Sequence, residues 1–321
     1  MLNKIINKLL FSRAMLGLCL TGLAISLVAC SGSRNKADVL PETKHFLWKV
    51  SDENSSVWLL GSIHLADSTL YPLAPVIDSA FAQAEELAVE INLNDDEVVK
   101  ELGEQSASQG MLAEGTLRDL LPEDMWNTVD SLCAAWNVPM EMIEKARPWL
   151  AATTLSSYAF MQAGLNPEYG IDYVFLDRAA MDGKAIVGLE TAEEQIGALA
   201  DTTESDSAGV YYLRTTLREI SGFHDLITNI MRAWKTGDDD LLHSLLDDVD
   251  DEDSLSQDSK YKEEYEQRIY VNRNAKMADS IATFLRENRN VFVVVGVAHL
   301  ALEKDNVIEA LKRRGFKIER F

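Results

Sequence analysis

The chain has 321 residues, with 52 acidic side chains against 30 basic ones, a formal charge of −22. Acidity of that size repels phosphate backbones and excludes a general nucleic-acid binder. Apolar residues are 47% of the chain, too many for a disordered acidic protein, and three cysteines are too few for a disulfide-stapled scaffold.

The first residues read as an address. Lys4, Lys8 and Arg13 precede an apolar run from Ala14 to Ala29. That run is short for a membrane span of roughly 20 residues and fits a secretory signal. It ends in Leu27-Val28-Ala29-Cys30, which looks like the lipobox of bacterial lipoproteins. The expectation is a signal over 1–29, lipid on Cys30, and a polar tether over 30–42 leading to a domain at 43–321. Ser31 after the cysteine favours the outer over the inner membrane of the cell envelope. Loss of three cations with the signal takes the charge from −22 to −25. Cys133 is then the one unlipidated cysteine and reads as a small buried apolar residue.

Short apolar runs mark strands, and longer periodic stretches mark helices. Phe46–Val50 and Val57–Leu60 flank a polar turn and read as a hairpin. A helix is expected over Pro75–Ala84, then a strand over Glu86–Ile91. Helices are expected over Pro122–Trp136, Met140–Gln162 and Gly170–Met181, then a strand over Ala185–Leu189. Further helices fall at Ala192–Ala200, Ala208–Lys235 and Tyr261–Glu287. The chain closes on a strand at Val291–Val295, a helix at Val307–Arg314 and a strand at Phe316–Phe321. Continuous apolar strands alternating with helices indicate an α/β fold with a mostly parallel central sheet and flanking helices. The section from 112 to 270 reads as a largely helical middle insertion. Residues 238–264 carry twelve acids against Lys260 and Lys262, without EF-hand spacing, and read as a solvated loop.

Four strands run into metal-ligand residues. Val57–Leu60 leads to Gly61-Ser62-Ile63-His64, and Val291–Val295 leads to Gly296-Val297-Ala298-His299. The other two lead to Glu90 and Glu190. In parallel sheets, ligands bind beyond the carboxyl ends of the strands. If the four strands are neighbours, two imidazoles and two carboxylates converge. Two His and one Glu suit a divalent metal, and the second Glu suits a general base on bound water. Which Glu has which role is open at this level. Arg273 and Asn274 share the Tyr261–Glu287 stretch. There Arg273 suits a substrate carboxylate or oxyanion, and Asn274 suits hydrogen-bond donation. Asp172 reads as a helix-dipole partner, His45, His224 and His243 as surface or capping residues, and Trp136, Trp149 and Trp234 as core.

Taken in order, these motifs resemble the TraB/GumN family. Trp58-Leu59-Leu60-Gly61-Ser62-Ile63-His64-Leu65 with Val89-Glu90 resembles its opening. Val294-Val295-Gly296-Val297-Ala298-His299-Leu300 resembles its closing motif. Arg147-Pro148-Trp149, Gly170-Ile171-Asp172, Gly188-Leu189-Glu190-Thr191 and Arg273-Asn274 before Met277-Ala278 lie between. The likeness runs from about Phe46 to Phe321. Ser62 stands where the family more often has Thr. The family is similar to Tiki-type membrane-tethered metalloproteases that use paired Gly-x-x-His motifs with manganese or cobalt. The resemblance therefore implies a metal-dependent hydrolase, acting on a peptide or small-molecule substrate, with His64, Glu90 and His299 at the metal. Zinc is the third candidate metal. A binding lipoprotein for haem, metal or peptide is the alternative, since more distant relatives include haem-binding folds.

Overall fold

A computed structural model describes residues 44–200, 206–247 and 256–321. The expected signal, the tether with Cys30, and the centre of the acidic segment lie outside those residues. Strands β1 (Leu47–Ser51) and β2 (Ser56–Ser62) form the expected antiparallel hairpin. Asp52 closes its turn by accepting from the amides of Asn54 and Ser55 at 2.9 and 2.8 Å. After α1 (Pro75–Gln83), begun by a proline that forgoes no helical bond, the chain enters β3 (Glu86–Val89).

Helices α2 (Asp96–Gly110), α3 (Leu117–Leu120), α4 (Glu123–Trp136), α5 (Pro148–Gln162) and α6 (Ile171–Asp182) precede β4 (Ala185–Gly188). Then follow α7 (Ala192–Leu199), α8 (Ser207–Glu219), α9 (Phe223–Thr236), α10 (Asp239–Asp247) and α11 (Ser256–Glu266). A π turn at Gln267–Val271 joins α11 to α12 (Asn272–Arg286). The chain ends with β5 (Val291–Gly296), α13 (Val297–Ala301), α14 (Val307–Arg313) and β6 (Lys317–Arg320). Among the described residues, no helix is long and apolar enough to cross a membrane.

The six strands form one sheet in the order β4-β3-β5-β2-β1-β6. The first four are parallel, and β1 pairs antiparallel with both β2 and β6. The fold is therefore mixed α/β, mostly parallel with an antiparallel end. Central β5 is buried at every position, whereas edge strand β6 alternates exposed and half-buried residues. Between β3 and β5 the described residues add one strand, β4, and otherwise helices.

Three expectations about helices are corrected. Met140–Gln162 is not one helix: Pro148 holds Arg147 extended, at φ −65° and ψ 157°, so α5 begins at the proline. Ala208–Lys235 breaks at a 3₁₀ turn, Ile220–Gly222, into α8 and α9. Tyr261–Glu287 is interrupted by the π turn. Helix α10 and the start of α11 stand where a solvated loop was expected over 238–264. Helix α2, like the short α3, is an addition to the expected set. Its start is fixed by Asp95, whose side chain accepts from the amides of Glu97 and Val98.

Candidate functional site

The parallel strands put their carboxyl ends side by side. Register pairs Leu60 with Val294 and Val89 with both Val294 and Gly188. The ladder between β3 and β4 continues one step, with the Glu190 amide donating to the Glu90 carbonyl at 2.9 Å. His64 follows β2 by two residues, and His299 sits in the first turn of α13 directly after β5. The four residues singled out at strand ends therefore meet at one edge of the sheet.

His64 Nδ1 lies 3.0 Å from Asp172 Oδ1. Ser62 Oγ donates to the same oxygen at 2.5 Å, and Asp172 N donates back to Ser62 Oγ at 3.3 Å. Asp172 is thus more than a dipole partner: it orients His64 and, whenever that ring is neutral, keeps its proton on Nδ1, leaving the Nε2 lone pair directed away from Asp172. The approach depends on Gly170, where a Cβ would collide with the His64 carbonyl oxygen.

His299 is oriented in the same way by a neutral group. Asn274 Nδ2 donates to the Asp305 carbonyl at 2.9 Å, so its Oδ1 accepts from His299 Nδ1 at 2.6 Å. Both Nε2 atoms are buried, and neither has a hydrogen-bond partner among the described residues. Each lies 3.9 Å from the same oxygen, Glu90 Oε1. The Gly296 amide donates to that oxygen at 2.6 Å. A Cβ on Gly296 would stand 3.1 Å from His64 Nε2 and 3.3 Å from Glu90 Oε1. Glycine is what keeps the space between the donors clear.

Arg273 grips both carboxylates. Its Nε and Nη2 donate to the two oxygens of Glu190, each at 2.7 Å, and Nη2 also donates to Glu90 Oε2 at 2.7 Å. Nη1 donates to the Ile269 carbonyl at 3.2 Å. Arg273 is 5% exposed, so these charge-assisted bonds form away from water. Its guanidinium is occupied by the two Glu residues, and Asn274 holds an imidazole.

The electrostatics split the two imidazoles. Burial opposes a charge on His64, but Asp172 and Glu90 outweigh it and hold its pKa up at about 9. Burial and the Arg273 guanidinium push His299 down to about 3. Burial opposes a charge on Glu90, yet His299, Arg273 and His64 draw its pKa down to about 2. Burial pushes Glu190 up against the pull of Arg273.

The donor set suits a divalent metal. With both imidazoles neutral, three ionised carboxylates (Asp172, Glu90, Glu190) face one guanidinium, leaving the charge that one divalent cation neutralises. Among the described residues no three His, Cys, Asp or Glu side chains form a ready-made metal cage. The 3.9 Å gaps exceed the ~3.4 Å between two donors of a tetrahedral metal with ~2.1 Å bonds. Closing the set takes a shift of about half an ångström in each pair.

Two residues of this neighbourhood escape sequence reasoning. Asp172 lies 108 positions from His64, and its signal was its place in the Gly170-Ile171-Asp172 landmark. Tyr270, in the π turn, packs its ring edge-on to His299 with centroids 5.8 Å apart. The other histidines lie elsewhere: His243 Nε2 is 2.5 Å from the Ala301 carbonyl. Trp234 is core, its indole donating to the Gly61 carbonyl at 2.7 Å. Cys133 is buried, as expected.

An α/β sheet with two tautomer-fixed imidazoles and an arginine-clamped glutamate pair at its carboxyl edge defines a class of site-bearing domain. The particular lineage comes from sequence: residues 46–320 match the model of the TraB/PrgY/gumN family, and the chain belongs to that family. It is similar to "Uncharacterized protein YbaP" of Escherichia coli (strain K12) and of Shigella flexneri. Each is 24% identical over 194 residues, 59% of this chain and 69% of the relative. No solved structure matches the chain.

Proposed function

We propose that the protein is a lipid-anchored, metal-dependent hydrolase of the cell envelope, most simply a peptidase. The observation that supports it best is the pair of buried Nε2 atoms, without a hydrogen-bond partner among the described residues and equidistant from Glu90 Oε1. A buried polar atom without a partner costs ~1–3 kcal/mol, and a cation between the two would relieve both. His64 Nε2, His299 Nε2 and Glu90 Oε1 would hold it, with manganese, cobalt or zinc as the ion. Such an ion acidifies bound water and polarises a carbonyl.

The chain's own groups then divide the work. Asp172 and Asn274 keep both lone pairs aimed at one place. Arg273 holds Glu90 so that Oε1 alone faces the imidazoles. Glu190 is the carboxylate assigned to proton transfer, because burial raises it, the direction a general base at neutral pH needs. Peptide or small-molecule substrates enter at the sheet's carboxyl edge. Phe46, just before β1, lies at that edge too: the Gly61 amide donates to its carbonyl at 2.8 Å. Lipid on Cys30 would hold that edge toward a membrane, with the outer membrane favoured.

The binding-lipoprotein reading is the alternative. Burial of His299 to 1% exposure supports a small ion over a haem. The test is peptide hydrolysis by the full chain in detergent, before and after chelation. Hydrolysis restored by manganese, cobalt or zinc, and absent in Glu190→Gln, supports the hydrolase. Metal retention with no turnover of any peptide supports the binding protein.

A further inference from the structure

Behind His299 lies a cavity of 390 Å³ formed by α5, α8, α11 and the π turn. Its walls include Trp149, Tyr211, Tyr212, Tyr261, Tyr265 and Tyr270. Tyr212 stacks on Tyr265 at 5.0 Å, and Tyr211 lies 6.1 Å from Tyr261, so α8 and α11 meet through aromatic pairs. Trp149 is 2% exposed, and its indole N–H has no hydrogen-bond partner among the described residues. Acidic and basic groups are mixed in the lining, with Glu266 and Glu303 beside Arg268 and Lys304, so neither sign of charge is selected.

The cavity and the His cluster share structure. Tyr270 lines the cavity and packs against His299. Asp305 also lines it, and its carbonyl anchors Asn274, the group that orients His299. Tyr270 and Asn274 are four residues apart, on one face of the helix that the π turn feeds. Such π turns concentrate at functional positions because the extra residue re-aims the side chains around it.

We propose that this cavity receives an apolar, preferentially aromatic, side chain of the substrate, and that Tyr270 is the specificity residue joining the cavity to the reacting centre. The proposal rests on the reading of His64, His299 and Glu90 as that centre. The volume lies low in the ~300–1,000 Å³ range of small-ligand pockets, room for one large side chain and its adjoining amide. The aromatic walls supply stacking surface for such a side chain.

The experiment measures binding of N-acetyl-phenylalaninamide and N-acetyl-alaninamide to the full chain by saturation-transfer NMR. The phenylalanine amide should bind at least about tenfold tighter, the worth of burying one aromatic ring. Ala208→Phe, which fills the cavity, should abolish that preference while metal content stays unchanged. Tyr265→Ala, which removes one stacked wall, should weaken the phenylalanine amide at least severalfold and is the second variant should the first not fold. Equal binding of the two amides, or a preference indifferent to both variants, overturns the proposal. A preference that persists in a protein holding no metal would leave the cavity assignment standing and remove the metal reading instead.

Discussion

Asn274 Oδ1 accepts a hydrogen bond from His299 Nδ1 at 2.6 Å, in a site where His299 is 1% exposed. The bond fixes which imidazole nitrogen keeps its lone pair. Asn274→Ala leaves a buried N–H unpaired, so stability should fall by ~1–3 kcal/mol. Metal affinity should fall by ~10–100-fold as the ring loses its orientation. Urea denaturation and chelator competition measure the two effects. A variant with wild-type metal affinity would show that Asn274 is only structural.

Asp172 plays the matching part for His64 with a charge. In Asp172→Asn the carboxylate that outweighs burial is gone, so the pKa of His64 should fall from about 9 in the metal-free protein. Imidazole NMR titration reads this directly. An unchanged value would mean that Glu90, not Asp172, holds the proton on His64.

Gly296 separates folding from function. Its φ of −48° and ψ of 135° suit alanine, so Gly296→Ala should fold with a stability loss within ~1–2 kcal/mol. Its Cβ would stand 3.1 Å from His64 Nε2, in the space the donors share, so metal binding should be lost. Gly61→Ala makes the contrast. Its Cβ would press 2.8 Å from Val297 Cγ2, an overpacking worth ~1–3 kcal/mol. Circular dichroism melts should show both variants folded, and metal analysis should separate them, with metal kept in Gly61→Ala and lost in Gly296→Ala.

The metal-free protein should be most stable near neutral to mildly acidic pH. His64, raised from 6.5 to about 9, contributes stability below its unfolded value that is lost as pH rises through 9. His299, lowered from 6.5 to about 3, contributes stability above 6.5 that is lost as pH falls toward 3. Glu90, lowered from 4.5 to about 2, adds to the acid loss. Metal binding displaces the His64 proton and should remove the alkaline decline. Denaturation midpoints from pH 4 to about 10, with and without metal, check both limbs. A metal-free protein that grows more stable above pH 8 would contradict the assignment.

The parallel strands, and the convergence of His64, Glu90, Glu190 and His299 should those strands be neighbours, are legible because each strand is a continuous apolar run ended by its functional residue; the strand order itself is not. Burial on both faces writes that pattern locally. Asp172 and Tyr270 were not legible as site residues, because their partners come from elements far apart in the chain. Helix α2 carries no apolar stripe to mark it, because its buried face is Leu102, Gly103, Ser106 and Gly110. Its one clear mark is the Asp95 cap. The break before α5 was legible in Pro148, which an uninterrupted helical pattern obscured.

The central claim is that His64 and His299 share one metal ion. Full-length protein in detergent, loaded with manganese, cobalt or zinc and freed of excess ion, is analysed by mass spectrometry of its metal content. The account predicts one ion per chain in the wild type and none in His64→Ala or His299→Ala. A folded wild-type protein that retains no divalent metal, or single variants that keep a full complement, would contradict it.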